Sequence, residues 1–117
     1  MAAIIKNELG TITIGEDLIA NIVGAAASEN YGIVGMNSTS AGDAWLQLIG
    51  SDNLKRGVSV TMNDDNSVNI ELHVTLMYGV SFPAVAKNTI SSVKYFVEDM
   101  TGLKVNNVNI YVDAVRV

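Results

Sequence analysis

The residues able to do chemistry in this chain are few and poorly grouped. His73, the sole histidine, lies between Leu72 and Val74 in a run of alternating apolar and polar residues. As a general base it needs a nucleophile or an orienting carboxylate beside it, and Glu71, two residues back on the same strand face, is the nearest candidate. A Glu–His pair without a serine, cysteine or metal partner specifies no reaction. A surface histidine is the simpler reading. Asp64 and Asp65 are adjacent acids in Asn63-Asp64-Asp65-Asn66. A calcium loop spaces its oxygens over about 12 residues and ends in glutamate, whereas these four residues are favoured in turns. The passage from Gly32 to Gly42 is rich in glycine and hydroxyls, but it lacks the Gly-Lys-Ser/Thr ending of a phosphate loop. Glycine at special backbone angles explains it better.

The basic residues are equally unspecific. Lys55-Arg56 is the only adjacent pair, and Lys87 and Lys94 share the outward side of a long helical segment. No aromatic residues interleave them to stack on bases. Twelve acids against seven bases leave a net charge of -5, so nucleic-acid backbones and anionic lipid surfaces are repelled on average. No nucleic-acid partner is expected. The absence of cysteine removes disulfides, thiolate nucleophiles and thiolate metal sites together, as fits a reducing cytoplasm. No apolar run approaches the about 20 residues that cross a bilayer, and the start MAAIIKNELG is too short an apolar patch for a signal peptide. Direct membrane insertion is not expected. The residues thus give no catalytic site, cofactor or metal.

The elements that must position these residues follow from periodicity. The chain has 117 residues, 49% of them hydrophobic, enough for one domain over 1–117 with its own core. Thr11 to Ile14 alternate and end at Gly15, as a short strand or an extended lead-in does. Leu18, Ile19, Ile22, Val23, Ala26 and Ala27 mark a helix over about Glu16 to Glu29, with Gly24 set for close packing. Tyr31 to Met36 forms a short extended segment, NSTSAGD a loop, and Asp43 to Ile49 a short second helix ended by Gly50. Val58, Val60 and Met62, the turn 63–66, and then Val68, Ile70, Leu72, Val74 and Leu76 form a β-hairpin.

Phe82, Val85, Ala86, Ile90, Val93, Val97 and Met100 trace the stripe of a long helix, with a Ser81 cap, Pro83 in the first turn and Gly102 at the end. The last strand sets Val108, Ile110, Val112 and Ala114 toward the core and Asn109, Tyr111, Asp113 and Val115 away from it. The resulting order, β-α-β-α-β-β-α-β, is an α+β fold with a mixed sheet and helices on one face. If strands 68–78 and 103–115 share a sheet, the helix between them makes them parallel with a right-handed crossover. The outward face then presents His73, Thr75, Met77, Asn109, Tyr111 and Val115, with tyrosine and methionine of the kind that interfaces use. An unclosed sheet also offers an edge to another chain.

With these elements placed, the chain resembles the alkaline shock protein family, the envelope stress response proteins of mainly Gram-positive bacteria. TITIGEDLIANIVGAAASENYGIVGM is similar to the family's opening strand, helix and joint, and RGVSV to its hairpin start. YGVSFPAVAKN with MTGLKVNNVNIYVDAV is similar to its closing signature. Tyr31 departs from the acidic residue common at that position. The resemblance implies a non-enzymatic cytoplasmic protein that associates with itself, forming a homo-oligomer, or docks to a small membrane anchor protein that holds it at the inner face of the envelope. Other relatives imply a second role, as regulatory partner of a soluble lipid-metabolism enzyme acting on fatty-acid or acyl chains. The family supplies no catalytic residue.

Overall fold

The computed structural model describes residues 2–36 and 57–117. The expected loop NSTSAGD, the expected helix Asp43 to Ile49 and the Lys55-Arg56 pair lie outside the described residues. Within them the order is β1 (Ala2–Asn7), β2 (Gly10–Gly15), α1 (Glu16–Ser28), β3 (Ile33–Met36), β4 (Val58–Met62), β5 (Ser67–Met77), α2 (Phe82–Thr101) and β6 (Lys104–Arg116).

β5 organises the main sheet. Its alternate residues Val68, Ile70, Leu72, Val74 and Leu76 are at most 1% exposed, so one side of the strand is wholly inside the core. β6 runs parallel along one edge of β5 for its whole length, from Ser67↔Lys104 to Met77↔Arg116. The other edge is shared end to end by two antiparallel strands: β4 takes Val68 to Leu72, and β3 takes Val74 to Leu76. Among the described residues the mixed sheet is therefore three strands wide with β5 in the middle. Glycines at φ +97° and +75° extend the two shared partners, as the Gly32 carbonyl accepts from Met77 N–H and the Gly57 carbonyl from His73 N–H. Both are in the left-handed region where glycine alone is unstrained.

The hairpin turn forms as its composition predicts. Asn66 sits at φ +65°, a conformation asparagine tolerates, and Asn63 pairs with Ser67 across the bend. The Asp65 carboxylate accepts from the Ser67 hydroxyl and from its backbone N–H, and these bonds hold its pKa below the usual carboxylate value, the hydroxyl contributing most. Asp65 is thus a turn residue.

α2 starts and stops where its signals predict. The Ser81 hydroxyl accepts from Ala84 N–H, and Gly102 at φ +75° donates to the Glu98 carbonyl. Its buried ridge differs from the expected stripe. Val85, Thr89, Val93, Val97 and Thr101 recur every four residues and are buried, whereas Phe82 and Met100 are 40% and 65% exposed. Two threonines are tolerated inside because each hydroxyl donates to the carbonyl four residues earlier, Val85 and Val97, which satisfies the buried polar atom.

α1 packs beside α2 on the same side of the sheet. Ile19, Ala20, Val23, Gly24, Ala26 and Ala27 are buried, and Leu18 is half exposed. No glycine ends α1. Asn30 instead donates from its side chain to the Ala26 carbonyl and accepts from the Ser92 hydroxyl, tying the end of α1 to α2.

The N-terminal segment corrects the expected order. Ala2–Asn7 is a strand, absent from the sequence reading, that pairs antiparallel with β2 as a separate two-stranded ribbon. Its turn is closed by the Asn7 side chain, which accepts from Leu9 and Gly10 N–H. Asn-x-x-Gly at 7–10 was the available signal. The ribbon buries Ala3 and Ile14 and is fastened to the hairpin by Asn66, whose amide oxygen accepts from Ile4 N–H and whose amide nitrogen donates to the Ile4 carbonyl. One side chain thus stands in for a neighbouring strand residue.

Two substitutions test this frame. A Cβ on Gly32 would lie 2.8 Å from Val85 Cγ2 at a backbone angle that disfavours it, so Gly32→Ala is expected to cost roughly 2–4 kcal/mol, read as a lowered urea midpoint. Asn66→Gly keeps the turn conformation but deletes the tie to Ile4. Hydrogen exchange should then accelerate in residues 2–15 while the exchange of β5 is unchanged; equal acceleration in both would show that the amide supports the whole fold.

Candidate interaction surface

The face of the sheet opposite the helices carries the sequence-predicted site. Parallel pairing of β5 with β6 sets Glu71 beside Asn109 and His73 beside Tyr111. The His73 and Tyr111 rings stack with centroids 4.7 Å apart and planes 14° from parallel. His73 Nδ1 lies 2.9 Å from Asp113 Oδ2, each side chain a little under half exposed. The orienting carboxylate is therefore Asp113, on the neighbouring strand, and not Glu71. Sequence spacing within one strand could not show this. It follows from the parallel register.

Two bulges in β6 decide which residues share this face. The register slips between Val68/Asn69 and again between Val74/Thr75, so Asn106 and Asp113 are extra residues on β6. The first slip lets Val105 and Val108, three apart, both be buried. The second reverses the expected alternation beyond Asp113. Ala114 falls beside Thr75 and Val115 beside Leu76, a core-facing residue. Paired residues in a ladder project to the same side, so Val115 belongs with the helix-covered side and Ala114 with the outer one. His73, Thr75, Met77, Asn109 and Tyr111 share the outer face, and Val115 does not join them.

A histidine held by a carboxylate is half of an acid–base arrangement. Here the ring lies flat on tyrosine on an open sheet, and its strand neighbours on the same face are Glu71 and Thr75. Among the described residues no group of three or more His, Cys, Asp or Glu is placed to hold a metal ion. Lys87 and Lys94 lie on α2, separated from this face by the sheet. What the surface offers is a flat aromatic and polar platform, Tyr111 being 44% exposed and stiffened by its stack and by the His73–Asp113 contact. Rigid aromatic groups of this kind contribute contact area at small entropic cost.

Among the described residues no helix is long and apolar enough to cross a membrane. No solved structure matches the chain. Curated relatives do. The chain is 36% identical to an uncharacterized protein, YloU, of Bacillus subtilis (strain 168), covering 100% of this chain and 98% of that one. It is 35% identical to an uncharacterized protein, Spy1614, of Streptococcus pyogenes serotype M6, covering 100% and 97%. A second Bacillus subtilis protein, YqhY, also uncharacterized, is 31% identical over 92% of this chain and 78% of its own. The model of the alkaline shock protein 23 family, described by its cell envelope-related function, matches residues 4–117. The chain belongs to that family.

Proposed function

We propose that this protein is a non-enzymatic adaptor that associates with itself through the outer face of its main sheet and works in the cytoplasm at the inner face of the cell envelope. The observation that carries the reading is the His73–Tyr111–Asp113 platform, placed on the one sheet face that no described helix covers, in a chain whose family has an envelope-related function. An enzyme needs a pocket that encloses substrate and excludes water. A flat, half-exposed stack suits a partner surface better. Met77 lengthens the platform toward the end of the sheet, and Thr75 and Asn109 add hydrogen-bonding groups around the rings, the mixture typical of interfaces. With no sufficiently apolar helix among the described residues, attachment to the envelope goes through a partner, for which a small membrane anchor protein is the proposed class.

Tyr111→Lys places a solvated charge at the centre of the platform and leaves the core untouched. Sedimentation velocity over a concentration series is expected to show wild-type assembly shifting to smaller species in this variant, with Met77→Lys weaker in the same direction. Identical profiles for all three chains would remove the sheet face as the interface.

A further inference from the structure

A second surface lies on the other side of the molecule and has a different chemistry. α1 and α2 run antiparallel: Asn30 bonds Ser92 at one end, and Asn21, Ile22, Phe96 and Met100 meet at the other. Between them is a cleft of about 280 Å³. Ala25 and Ala26 form its floor, where the short side chains leave the space unfilled, and Ile22, Phe96 and Met100 form its walls. Phe96 is held edge-on against Tyr95, at 5.3 Å and 76°. Two of the walls remain in water, Phe96 being 38% and Met100 65% exposed.

Among the described residues the one charged side chain that lines the cleft is acidic. It is Glu29, and exposed Asp99 precedes Met100. Neither α1 nor the part of α2 beyond Lys94 contains a lysine or arginine. Asn21 Oδ1, an acceptor, is buried at the cleft with no hydrogen-bond partner among the described residues. An apolar trough between two antiparallel helices, with acidic residues beside it, selects an occupant with an apolar stripe and cationic flanks.

We infer that this cleft docks a single amphipathic helix of a partner protein, with aliphatic side chains at i, i+3 or i+4, and i+7 entering between Ile22, Ala25, Phe96 and Met100 and with lysine or arginine reaching the Glu29 and Asp99 side. The inference goes beyond the adaptor reading and does not depend on the sheet face, since the two surfaces lie on opposite sides of the sheet. It gives the protein one surface for copies of itself and another for a basic helix.

The test is fluorescence anisotropy of a labelled leucine–lysine model peptide of about 14 residues, long enough for the cleft, titrated with the full chain at about 0.15 M salt. Three controls accompany it: the same peptide with glutamate for lysine, a scrambled peptide of equal composition without the apolar stripe, and the variants Ala25→Phe and Met100→Ser. Ala25→Phe fills the trough, and Met100→Ser removes an exposed wall without touching the core, so a folding failure of the first leaves the second informative. Saturable binding is expected, weaker by about tenfold or more for each control peptide and for Ala25→Phe, and by a smaller factor for Met100→Ser. Absence of saturable binding, equal binding of the scrambled or glutamate peptide, or unchanged affinity in the folded variants would overturn the assignment. Loss of self-association in Ala25→Phe would also overturn it, because the occupant would then be a second copy of this chain.

Discussion

The constraint on which the rest of the structure depends is the pairing of β5 on both edges at once. A strand hydrogen-bonded on both sides has a fixed register, and a slip by one residue would turn Val68, Ile70, Leu72, Val74 and Leu76 out of the core together. That cost locks the outward set just as firmly. His73 meets Tyr111 because Leu72 and Val74 cannot leave the interior. Gly32 and Gly57, at the ends of the flanking strands, provide carbonyls for β5 amides, so even the joints serve this strand.

Much of this was legible in the sequence for local reasons. The hairpin over 58–76, the Ser81 cap, Pro83 and Gly102 each carry their signal within a few residues, and those elements appear with nearly the expected bounds. What was illegible depends on pairing between distant segments. Val115 follows Tyr111 and Asp113 in simple alternation, and only the bulge at Asp113, defined by a slip against β5, moves it to the other side. Asp113 replaces Glu71 as the partner of His73 for the same reason. Thr89 and Thr101 look polar in a composition reading, yet the helix carbonyls satisfy them and they complete the buried ridge. That ridge displaces Phe82 and Met100 from the core, and Met100 then becomes a wall of the cleft between the helices.

The two faces of the sheet layer divide the molecule chemically. On one side a histidine, a tyrosine and a carboxylate form a stiff polar platform, and on the other the helices leave an apolar trough beside acidic residues. Both arrangements suit contact with other chains. This accords with an envelope-related family. Asn66 shows how few residues the scaffold needs for its joints. A single turn residue sets the hairpin bend and fastens the N-terminal ribbon, so the part of the chain before α1 is anchored beside the sheet without joining it.

The central claim, that the platform around Tyr111 meets another copy of this chain at the envelope, is tested most directly by site-specific photocrosslinking in cells. A photoreactive phenylalanine analogue is placed at Tyr111, and crosslinked products from membrane and soluble fractions are identified by mass spectrometry. The account predicts a product joining two copies of this chain, enriched in the membrane fraction. A product formed instead with a soluble lipid-metabolism enzyme, or no product from Tyr111 alongside efficient crosslinking from a helix position such as Lys94, would contradict it.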